Sequence, residues 1–535
     1  MKKTKKIIFS ALLGACLFNS SCTDGFDAIN TNPNDLTEEQ WMKLYYKTEL
    51  GSTLRKASTL GGADVHQRIK ALYVDVYTQY VAGTSTRNYT QNDGYQTKYW
   101  TDYYSWLASV NAVINACKDD SEKVNSLALA RIWRVFIQSQ ATDLFGPTPF
   151  PTSPSDGNVE YKPLKDQYDF FFAELDQAIK QFDSTKELLT TEDNIYWGDI
   201  NKWKRFANSL RLRLAIKLSE IDPVLCKTQA QAAATAEGGL LSPTDNAQIA
   251  GVSGWGNQYP YYMYQVSWGD RQSLMSSMEK VLTNIGGIPY DGTATTHPAN
   301  LDPRGTRLFG SNVPGNAWVG LAPGLQTLTN EMKNNASAMS TVWIIPNDSR
   351  KTDIFLYPEV CFLMAEGIER GFISGGSAKD WYEKGVKASF TQWGLDEAKA
   401  STYLASTAKN RWGTSANYDD AMGAGNTKLE KIISQKYIAN YPDISYQSWN
   451  DKRRLNLPAL DIPEYINASA GTYPKDGNIQ NPANYISRIM YPQSEAQINN
   501  TNYQGGVSQL KDGDKTSSPI WWASKRSNYC TSVVK

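Results

Sequence analysis

Four residues near the C-terminal end of the chain offer the clearest chemistry in the sequence. Trp449, Asp451, Arg453 and Arg454 stand close together in the stretch LEKIISQKYIANYPDISYQSWNDKRRLNLP, residues 429–458. An arginine guanidinium binds a carboxylate through two parallel hydrogen bonds. An aromatic plane, a carboxylate and two guanidiniums at this spacing therefore favour a fixed ionic cluster. A solvated turn of mixed charge is the alternative, because most charged residues lie at protein surfaces.

The element that precedes this cluster is predicted to be an amphipathic helix. Thr427 and Glu430 have the spacing of a capping box, which satisfies the free N–H groups at a helix start. Pro442 ends the helix, because it lacks an N–H and biases the residue before it away from helical angles. The apolar residues recur at helical spacing and define one face: Leu429, Ile432, Ile433, Tyr437 and Tyr441.

Residues that support enzyme chemistry are sparse. The two histidines, His66 and His297, neighbour no nucleophile motif, whereas serine and cysteine nucleophiles usually need a histidine base. The sequence contains no G-x-S-x-G, H-E-x-x-H, phosphate-binding loop or G-x-G-x-x-G motif. The cysteines after Cys22 form no C-x-x-C, so we expect no zinc site. From the missing motifs we also expect no catalytic residue and no cofactor. A carboxylate pair for glycoside hydrolysis stays open, since its ~5–10 Å spacing is three-dimensional.

The N-terminus has the order of a lipoprotein signal. Four lysines in the first six residues precede the apolar run Ile7–Phe18, and Cys22 follows two serines. This order predicts a signal peptide over residues 1–21 and a lipid-bearing Cys22 as the mature N-terminus. Ordinary signal cleavage beside an incidental cysteine is the alternative. No later run approaches the ~20 apolar residues that span a membrane.

The charge balance excludes one class of partner. The chain has 54 basic and 54 acidic residues, and removal of the four signal lysines leaves 50 against 54, a net charge of −4. Nucleic-acid binding needs a basic face, so we expect no nucleic acid. Aromatic residues make up 12% and charged residues only 20%, which favours a neutral ligand held by ring stacking.

Helical patterns follow one another in pairs. Pairs joined by short loops favour an α-solenoid of the tetratricopeptide kind. The helix Trp203–Leu218 also carries Lys204, Arg205, Arg211 and Arg213, which we expect to form a solvated face; an anion-binding groove is the alternative. The predicted pairs are Trp41–Leu60 with Val65–Val81, Tyr95–Cys117 with Asn125–Leu144, Asp166–Phe182 with Ile200–Leu218, and Phe355–Gly371 with Ala378–Trp393.

The helical pattern breaks over residues 242–350, which are rich in Gly, Pro, Asn and Tyr. One helix is predicted inside this region, Leu274–Ile285, with Gly286 and Gly287 as its stop. An irregular stretch of this length within a compact protein is usually functional. We therefore expect the ligand side of the molecule here.

Six stretches in order resemble the SusD/RagB-like nutrient-binding lipoproteins of the Bacteroidetes outer membrane. They extend over nearly the whole mature chain, and their number and order make the resemblance specific. The triplet Asp302-Pro303-Arg304 also resembles the D-P-R loop of that family and is expected to be structural. The six stretches are CTDGFDAINTNPND from Cys22, DLFGPTPF from Asp143, WKRFANSLRLRLAIKL from Trp203, YPEVCFLMAEGIERG from Tyr357, QKYIANYPDISYQSWNDKRRLNLP from Gln435 and RIMYPQSEAQINNTNY from Arg488.

The resemblance implies a mainly α fold for residues 22–535. This is the SusD-like α/α superhelix, with four tetratricopeptide-like helix pairs over residues 39–240 and 352–441. A long irregular, loop-rich insertion at 242–350 and a C-terminal region at 442–535 complete it. The family further implies a cell-surface receptor, lipid-anchored in the outer membrane, that is not an enzyme. Such a receptor captures a nutrient oligomer, most simply an oligosaccharide, and caps a SusC-like TonB-dependent outer-membrane transporter.

Two other functions stay open beside this one. A glycan-processing hydrolase would use a carboxylate pair, and a product assay with candidate polysaccharides separates it from a receptor. A helical-repeat scaffold would bind no small ligand. The aromatic loops count against a scaffold, because a scaffold needs only its helical faces.

Two stretches outside the helix pairs combine aromatic rings with polar side chains. Sugar sites have this mixture, because rings cover the flat C–H faces while polar groups bind the hydroxyls. The first stretch, TSTRNYTQNDGY, follows the first helix pair, where members of the family often contact ligand. The second is GWGNQYPYYMYQVSW, residues 254–268. We expect two or three rings to contact ligand and the others to pack, among the candidates Arg87, Asn88, Tyr89, Trp255, Tyr259, Tyr261, Tyr262, Trp268 and Trp318.

Overall fold

Helices dominate the computed structural model of the protein, so the prediction of a mainly α fold is confirmed. The structure describes residues 36–83, 91–151, 159–251, 259–310, 317–325, 327–343, 350–420, 423–463 and 486–525. The chain divides into two compact units, Met1–Tyr46 and Lys47–Lys535. Within the described ranges, no helix has the length and apolar character that a membrane span requires.

The predicted helix pairs are present, with ends within a few residues of the expected ones. Local capping explains several of these ends: Asn92 accepts a hydrogen bond from Gly94 N, and Asp199 accepts from Asn201 N and Lys202 N. The predicted helix over 65–81 ends earlier, at Tyr77, and its middle is π-helical. The pairs are Glu38–Ser58 with the run Ala63–His66, Gln67–Val74 and Asp75–Tyr77; Asp93–Cys117 with Val124–Phe145; Leu164–Gln181 with Ile200–Lys217; and Tyr357–Glu369 with Ala378–Gln392.

Further helices lie outside the four predicted pairs. Thr427 and Glu430 form the predicted capping box, with Thr427 N donating to Glu430 Oε2 at 2.7 Å and Glu430 N donating to Thr427 Oγ1 at 3.2 Å. The helix that they start packs on Tyr357–Glu369. The remaining helical segments are Pro223–Ala234, Pro260–Tyr262, Met263–Ser267 (π), Ser276–Leu282, Ile285–Gly287 (3₁₀), Gly305–Leu308, Asn330–Asn335, Thr341–Trp343 (3₁₀), Glu397–Ala405, Lys428–Ala439, Ser445–Leu455, Gln493–Ile498, Asn500–Ser508 and Trp521–Ala523 (3₁₀).

Short strands join segments that lie far apart in the sequence. One antiparallel sheet has the order β1-β5-β7-β6, so it ties the end of the first helix pair to three parts of the loop-rich region. Two further pairs, β2 with β3 and β4 with β8, are also antiparallel. The strands are β1 (Val81–Ala82), β2 (Thr148–Pro149), β3 (Tyr161–Lys162), β4 (Ala247–Ala250), β5 (Ser273–Leu274), β6 (Phe309–Gly310), β7 (Ala338–Met339) and β8 (Lys351–Phe355).

This first sheet corrects the helix predicted over 274–285. Leu274 belongs to β5, because its backbone pairs with Val81 of β1. The helix is shorter, Ser276–Leu282, and Ile285 follows it in a separate 3₁₀ turn. The apolar side chains of the predicted face are nevertheless buried in the core. Periodicity identified the buried face, whereas pairing with a distant strand set the helix start.

The expected solvated face on Ile200–Lys217 is wrong at Arg213. This side chain is buried and donates to Glu359 through Nε at 2.9 Å and Nη2 at 2.6 Å. Its guanidinium also lies over the ring of Phe355, 3.5 Å from the ring centre. The reason is packing: Ile200–Lys217 lies against Tyr357–Glu369, whose buried Glu359 needs a cation.

The predicted ionic cluster near the C-terminal end is confirmed, and it lies in the helix Ser445–Leu455 rather than in a turn. Arg454 binds both oxygens of Glu366, at 2.5 and 2.6 Å, and also Asp451 at 2.8 Å. Arg453 covers the ring of Trp449 at 3.7 Å. All five side chains are buried. The triplet from Asp302 to Arg304 is likewise a buried ion pair, as expected.

Candidate ligand-binding site

The structure brings together the ends of the two predicted ligand stretches. Gly83 is the residue before the first stretch, and it lies against Asp270, two residues after the end of the second. A Cβ added at Gly83 would come within 3.0 Å of the side chains of Asp270 and Gln272. Only glycine allows this close approach. The pairing of β1 with β5 produces the approach, because Gly83 follows β1 and Gln272 precedes β5.

Hydrogen bonds hold this junction in place. Gln67 Nε2, in the first π-helix, donates to Asp270 Oδ2 at 2.9 Å. Gln272 Nε2 donates to the backbone oxygen of Asp270 at 3.1 Å. Asp270 and Gln272 are buried, with 5% and 0% exposure. The junction is therefore a fixed floor under the surface, and the residues that a ligand could reach lie beside it.

Trp268 is the exposed ring next to this floor. It follows the π-helix Met263–Ser267, its backbone N–H donates to Met263 O at 3.2 Å, and 47% of its surface is accessible. Val266 is exposed as well. On the other side, Arg271 fixes the chain by donating to Ala336 O at 2.8 Å. Single π-helical turns are frequent at functional sites because they re-aim side chains.

Two of the predicted tyrosines anchor this segment from inside. The Tyr261 hydroxyl donates to Asp75 Oδ2 at 2.5 Å and accepts from Lys70 Nζ at 2.6 Å. The Tyr259 hydroxyl donates to Asp443 Oδ1 at 3.1 Å. Both rings are buried, and burial together with the Asp443 carboxylate raises the pKa of Tyr259. These two rings pack in the core.

The other candidates have different positions. Tyr262 lies between the two anchors and Trp268 and is half-buried. Trp318 is buried, with 5% exposure; its backbone N–H donates to Thr296 O at 2.6 Å, and its ring lies against Phe309, with 6.1 Å between the ring centres. A ring in that position would have to leave the core to stack on a sugar. Four candidates, Arg87, Asn88, Tyr89 and Trp255, lie outside the described residues.

Asp353 and Asp443 form a close carboxylate pair behind this segment. Asp353 N donates to Asp443 Oδ2 at 3.0 Å, and Arg350 lies 3.2 Å from Asp353 and 4.0 Å from Asp443. Burial first, and then the charge of Asp353, raises the pKa of Asp443 to about 6. Both carboxyl groups are buried, and Tyr259 lies on Asp443. The two acids line an internal cavity together with His66 and Lys70, and no cluster of His, Cys, Asp and Glu suited to a metal occurs in the described ranges.

Sequence reasoning missed Gln67, Asp270 and Gln272. Asp270 had one local signal in the sequence, the glycine before it, which is typical of a turn. The structure has this turn, with a φ of +69° at Gly269. Gln67 carried none, since it lies 203 residues before Asp270. The meeting of these side chains depends on long-range strand pairing. A two-residue strand is too short to produce a periodic pattern.

A family model described as "SusD-like: Susd and RagB outer membrane lipoprotein" matches residues 28–523. The chain therefore belongs to the SusD/RagB family of outer-membrane lipoproteins. A comparison with curated proteins finds no match.

Solved structures agree with this family. A SusD homologue from Parabacteroides distasonis is 41% identical, with a TM-score of 0.85 over 91% of this chain and 99% of its own. A chitin-binding SusD homologue from Flavobacterium johnsoniae is 26% identical, with a TM-score of 0.75 over 90% of this chain and 100% of its own. A SusD homologue from Bacteroides vulgatus, 24% identical with a TM-score of 0.76 over 92% and 100%, supports the fold.

Proposed function

We propose that the protein is a cell-surface receptor that binds a nutrient oligosaccharide beside the junction of Gly83 and Asp270. The receptor delivers this oligosaccharide to a SusC-like TonB-dependent outer-membrane transporter. The observation that carries the proposal is that junction, which brings the ends of both stretches together two residues from the exposed Trp268. Family membership supports the same function, as does the printed description of the Flavobacterium johnsoniae homologue as chitin-binding.

The chemistry of the exposed surface fits a sugar. The exposed Trp268 offers a ring for the flat C–H face of a pyranose, and Tyr262 of the same stretch is half-buried. The neighbouring stretch that contains Arg87, Asn88 and Tyr89 has the side chains that bind hydroxyls. Stacking on one ring is worth about 1–3 kcal/mol, on the scale measured for nucleobases. Loss of a contacting ring should therefore weaken binding by about ten- to a hundredfold.

Calorimetric titration of Trp268→Ala tests this site. The first ligand is an N-acetylglucosamine oligomer, chosen from the chitin-binding relative, followed by a panel of other soluble glycans. Trp197→Ala is the matched control, because Trp197 is a second exposed tryptophan, on the turn before the helix Ile200–Lys217. We expect Trp268→Ala to lose at least tenfold in affinity while the control binds as wild type. Normal binding by Trp268→Ala would place the site elsewhere.

The receptor acts without cleaving its ligand. The close carboxylate pair Asp353 and Asp443 is buried and held by Arg350, away from solvent. Incubation of the protein with each glycan that it binds, followed by chromatography of the products, tests this. Unchanged glycan is the expected result, and shorter products would establish a hydrolase instead. If neither a glycan nor a peptide oligomer binds, the helical-repeat scaffold is the remaining function.

Lipid on Cys22 attaches the receptor to the outer membrane. Cys22 lies outside the described residues, and its lipid rests on the signal-like order of the N-terminus and on the family. Cys22→Ala should move the protein into the soluble fraction. Unchanged membrane fractionation of this variant would contradict the anchor. Gentle detergent extraction of native membranes should recover wild type together with one large β-barrel protein, the transporter.

A further inference from the structure

An internal cavity of about 30 Å³ is lined by charged side chains from distant parts of the chain. Its wall includes Lys70, Arg213, Asp353 and Asp443, and each of these residues is more than nine-tenths buried. The volume is enough for about two water molecules. Buried charges are costly unless an opposite charge and hydrogen bonds compensate them. The charges around the cavity therefore determine which small species it can bind.

The two basic side chains of this wall have acids of their own. Lys70 Nζ donates to Asp75 Oδ1 at 2.8 Å. Its other two N–H donors go to the Tyr261 hydroxyl and to a backbone oxygen, each at 2.6 Å. Arg213 binds both oxygens of Glu359, at 2.9 and 2.6 Å. Both ion pairs are neutral, and an ammonium group has three donors, so Lys70 has none left for the other acids of the wall.

The other two acids share one cation. Arg350 Nη2 lies 3.2 Å from Asp353 Oδ2 and 4.0 Å from Asp443 Oδ2. His66 also lies on the wall, but burial and then the charge of Lys70 hold its pKa well below the ordinary 6.5, so its ring is neutral. Among the described residues, these contacts therefore involve three cations and four carboxylates. The excess is one negative charge, and it belongs to the pair of aspartates.

Hydrogen bonds connect this pair to the exposed Trp268. The Tyr259 hydroxyl donates to Asp443 Oδ1 at 3.1 Å, while Asp353 N donates to Asp443 Oδ2 at 3.0 Å. Met263 N donates to Tyr259 O at 3.4 Å, and Trp268 N donates to Met263 O at 3.2 Å. A continuous series of bonds thus runs from the acid to the residue with the exposed ring. A change of charge at the pair acts on the first bond of this series.

We propose that Asp353 and Asp443 together form a proton-binding site, and that one proton bound there holds residues 259–268 against the core. The proton comes from water and forms one O–H bond, which cancels the excess negative charge. Tyr259 keeps its hydrogen bond, because a protonated carboxyl group still has an oxygen that accepts. Without the proton, the two carboxylates repel each other, and opening of the segment relieves this repulsion by letting water reach them. The segment is therefore held more firmly in acid than at neutral pH.

The pKa of Asp443 supports this direction. Burial first, and then the charge of Asp353, raises the pKa to about 6 from the ordinary 3.8, although the nearby cations lower it. Tyr259 and Tyr441, which also face this acid, stay neutral because burial raises their pKa. An acid with a raised pKa stabilises the closed state as pH falls through that pKa. With a pKa of 3.8 in the open state, the ratio of closed to open segment should rise about tenfold from pH 7 to pH 5.

Hydrogen exchange of the backbone amides of residues 259–268 tests the site. It is followed by mass spectrometry on the full chain without glycan, and each rate is divided by the intrinsic rate at that pH, so that protection alone is compared. We expect wild type to show about tenfold more protection at pH 5 than at pH 7. Asp443→Asn, whose amide resembles the protonated acid, should show the high protection at both. The helix Asn500–Ser508, which packs on β3, is the internal control and should show equal protection at both.

Tyr259→Phe tests the connection between the pair and the segment. It removes only the hydroxyl that binds Asp443, so the protection of residues 259–268 should fall and no longer change with pH. Equal protection of wild type at pH 5 and pH 7 would overturn the inference, and so would a pH response that persists in Asp443→Asn or in Tyr259→Phe. If one variant does not fold, wild type and the other variant still decide. No glycan takes part, so either result leaves the proposed function to its own test.

Discussion

Replacement of Arg454 by methionine tests the buried ionic cluster of Arg454, Glu366 and Asp451. The guanidinium has 1% side-chain exposure and binds Glu366 twice and Asp451 once within 2.8 Å. Burial alone would raise the pKa of Glu366, but Arg454 outweighs it and holds that pKa at about 2. Because this is below the ordinary value of 4.5, the pair contributes stability above pH 4.5 that is lost as pH falls toward 2.

The charges around Arg454 set the expected magnitude. Arg370 lies 3.1 Å from Glu366 and 2.5 Å from Glu220, and Lys436 lies 3.1 Å from Asp451. The cluster is neutral in wild type and carries one excess negative charge in Arg454→Met. Breaking a buried pair by removing one partner costs about 3–5 kcal/mol. Glu366→Leu leaves one excess positive charge and should cost a similar amount.

The double variant Arg454→Met/Glu366→Leu is the decisive measurement. It restores neutrality, because Arg370 keeps Glu220 and Asp451 keeps Lys436. Its loss in the free energy of unfolding, measured by urea denaturation at pH 7, should be no larger than that of either single variant. The coupling energy is then at least about 3 kcal/mol. Additive losses in the double variant would show that Arg454 acts through packing, and the electrostatic reasoning would be refuted.

Three further predictions follow from single positions. Asp443→Asn should flatten the pH dependence of stability between pH 4 and 6. The folded pKa of Asp443 is about 6, above the ordinary 3.8, so the wild-type protein gains stability as pH falls through that window. Thermal melts of both proteins at each pH check this. Gly83→Ala should push Asp270 aside and weaken glycan binding in calorimetry, whereas Gly310→Ala, whose Cβ meets open space, should not. Thr427→Ala removes the capping box and should cost about 1 kcal/mol in urea denaturation.

Helix pairs could be predicted from the sequence because their information is local. The capping box at Thr427 and the apolar spacing after it involve residues three or four positions apart, and both are present in the structure. The ionic cluster could be predicted because Asp451 and Arg454 lie on one helix face, three residues apart. Its main partner could not, since Glu366 is 88 positions away on another helix. The local motif thus identified Asp451 and Arg454, whereas the packing of two helices brought Glu366 to them.

The same argument explains the error at Arg213. A row of basic residues beside an apolar helix face gives the same sequence pattern in two cases: when its side chains are solvated and when they pair with a buried acid. Glu359 decides between these cases, and it lies 146 residues further on. In this fold the cations of the helical half often pair with acids inside the core, as Lys217 does with Asp143. Charge patterns therefore predict poorly which faces are solvated in this protein.

The candidate site depends even more on distant contacts. Trp268 could be found from the density of aromatic residues around it, but the prediction could not separate it from Tyr259 and Tyr261, which occur in the same run. Exposure separates them. The hydroxyls of Tyr261 and Tyr259 donate hydrogen bonds to the buried Asp75 and Asp443, and these bonds hold both tyrosines in the core. Trp268 instead lies at the surface, with 47% of its area exposed. The aromatic residues that indicate a sugar site in a sequence also stabilise protein cores. For Tyr261 and Tyr259, the positions of Asp75 and Asp443 decide in favour of the core.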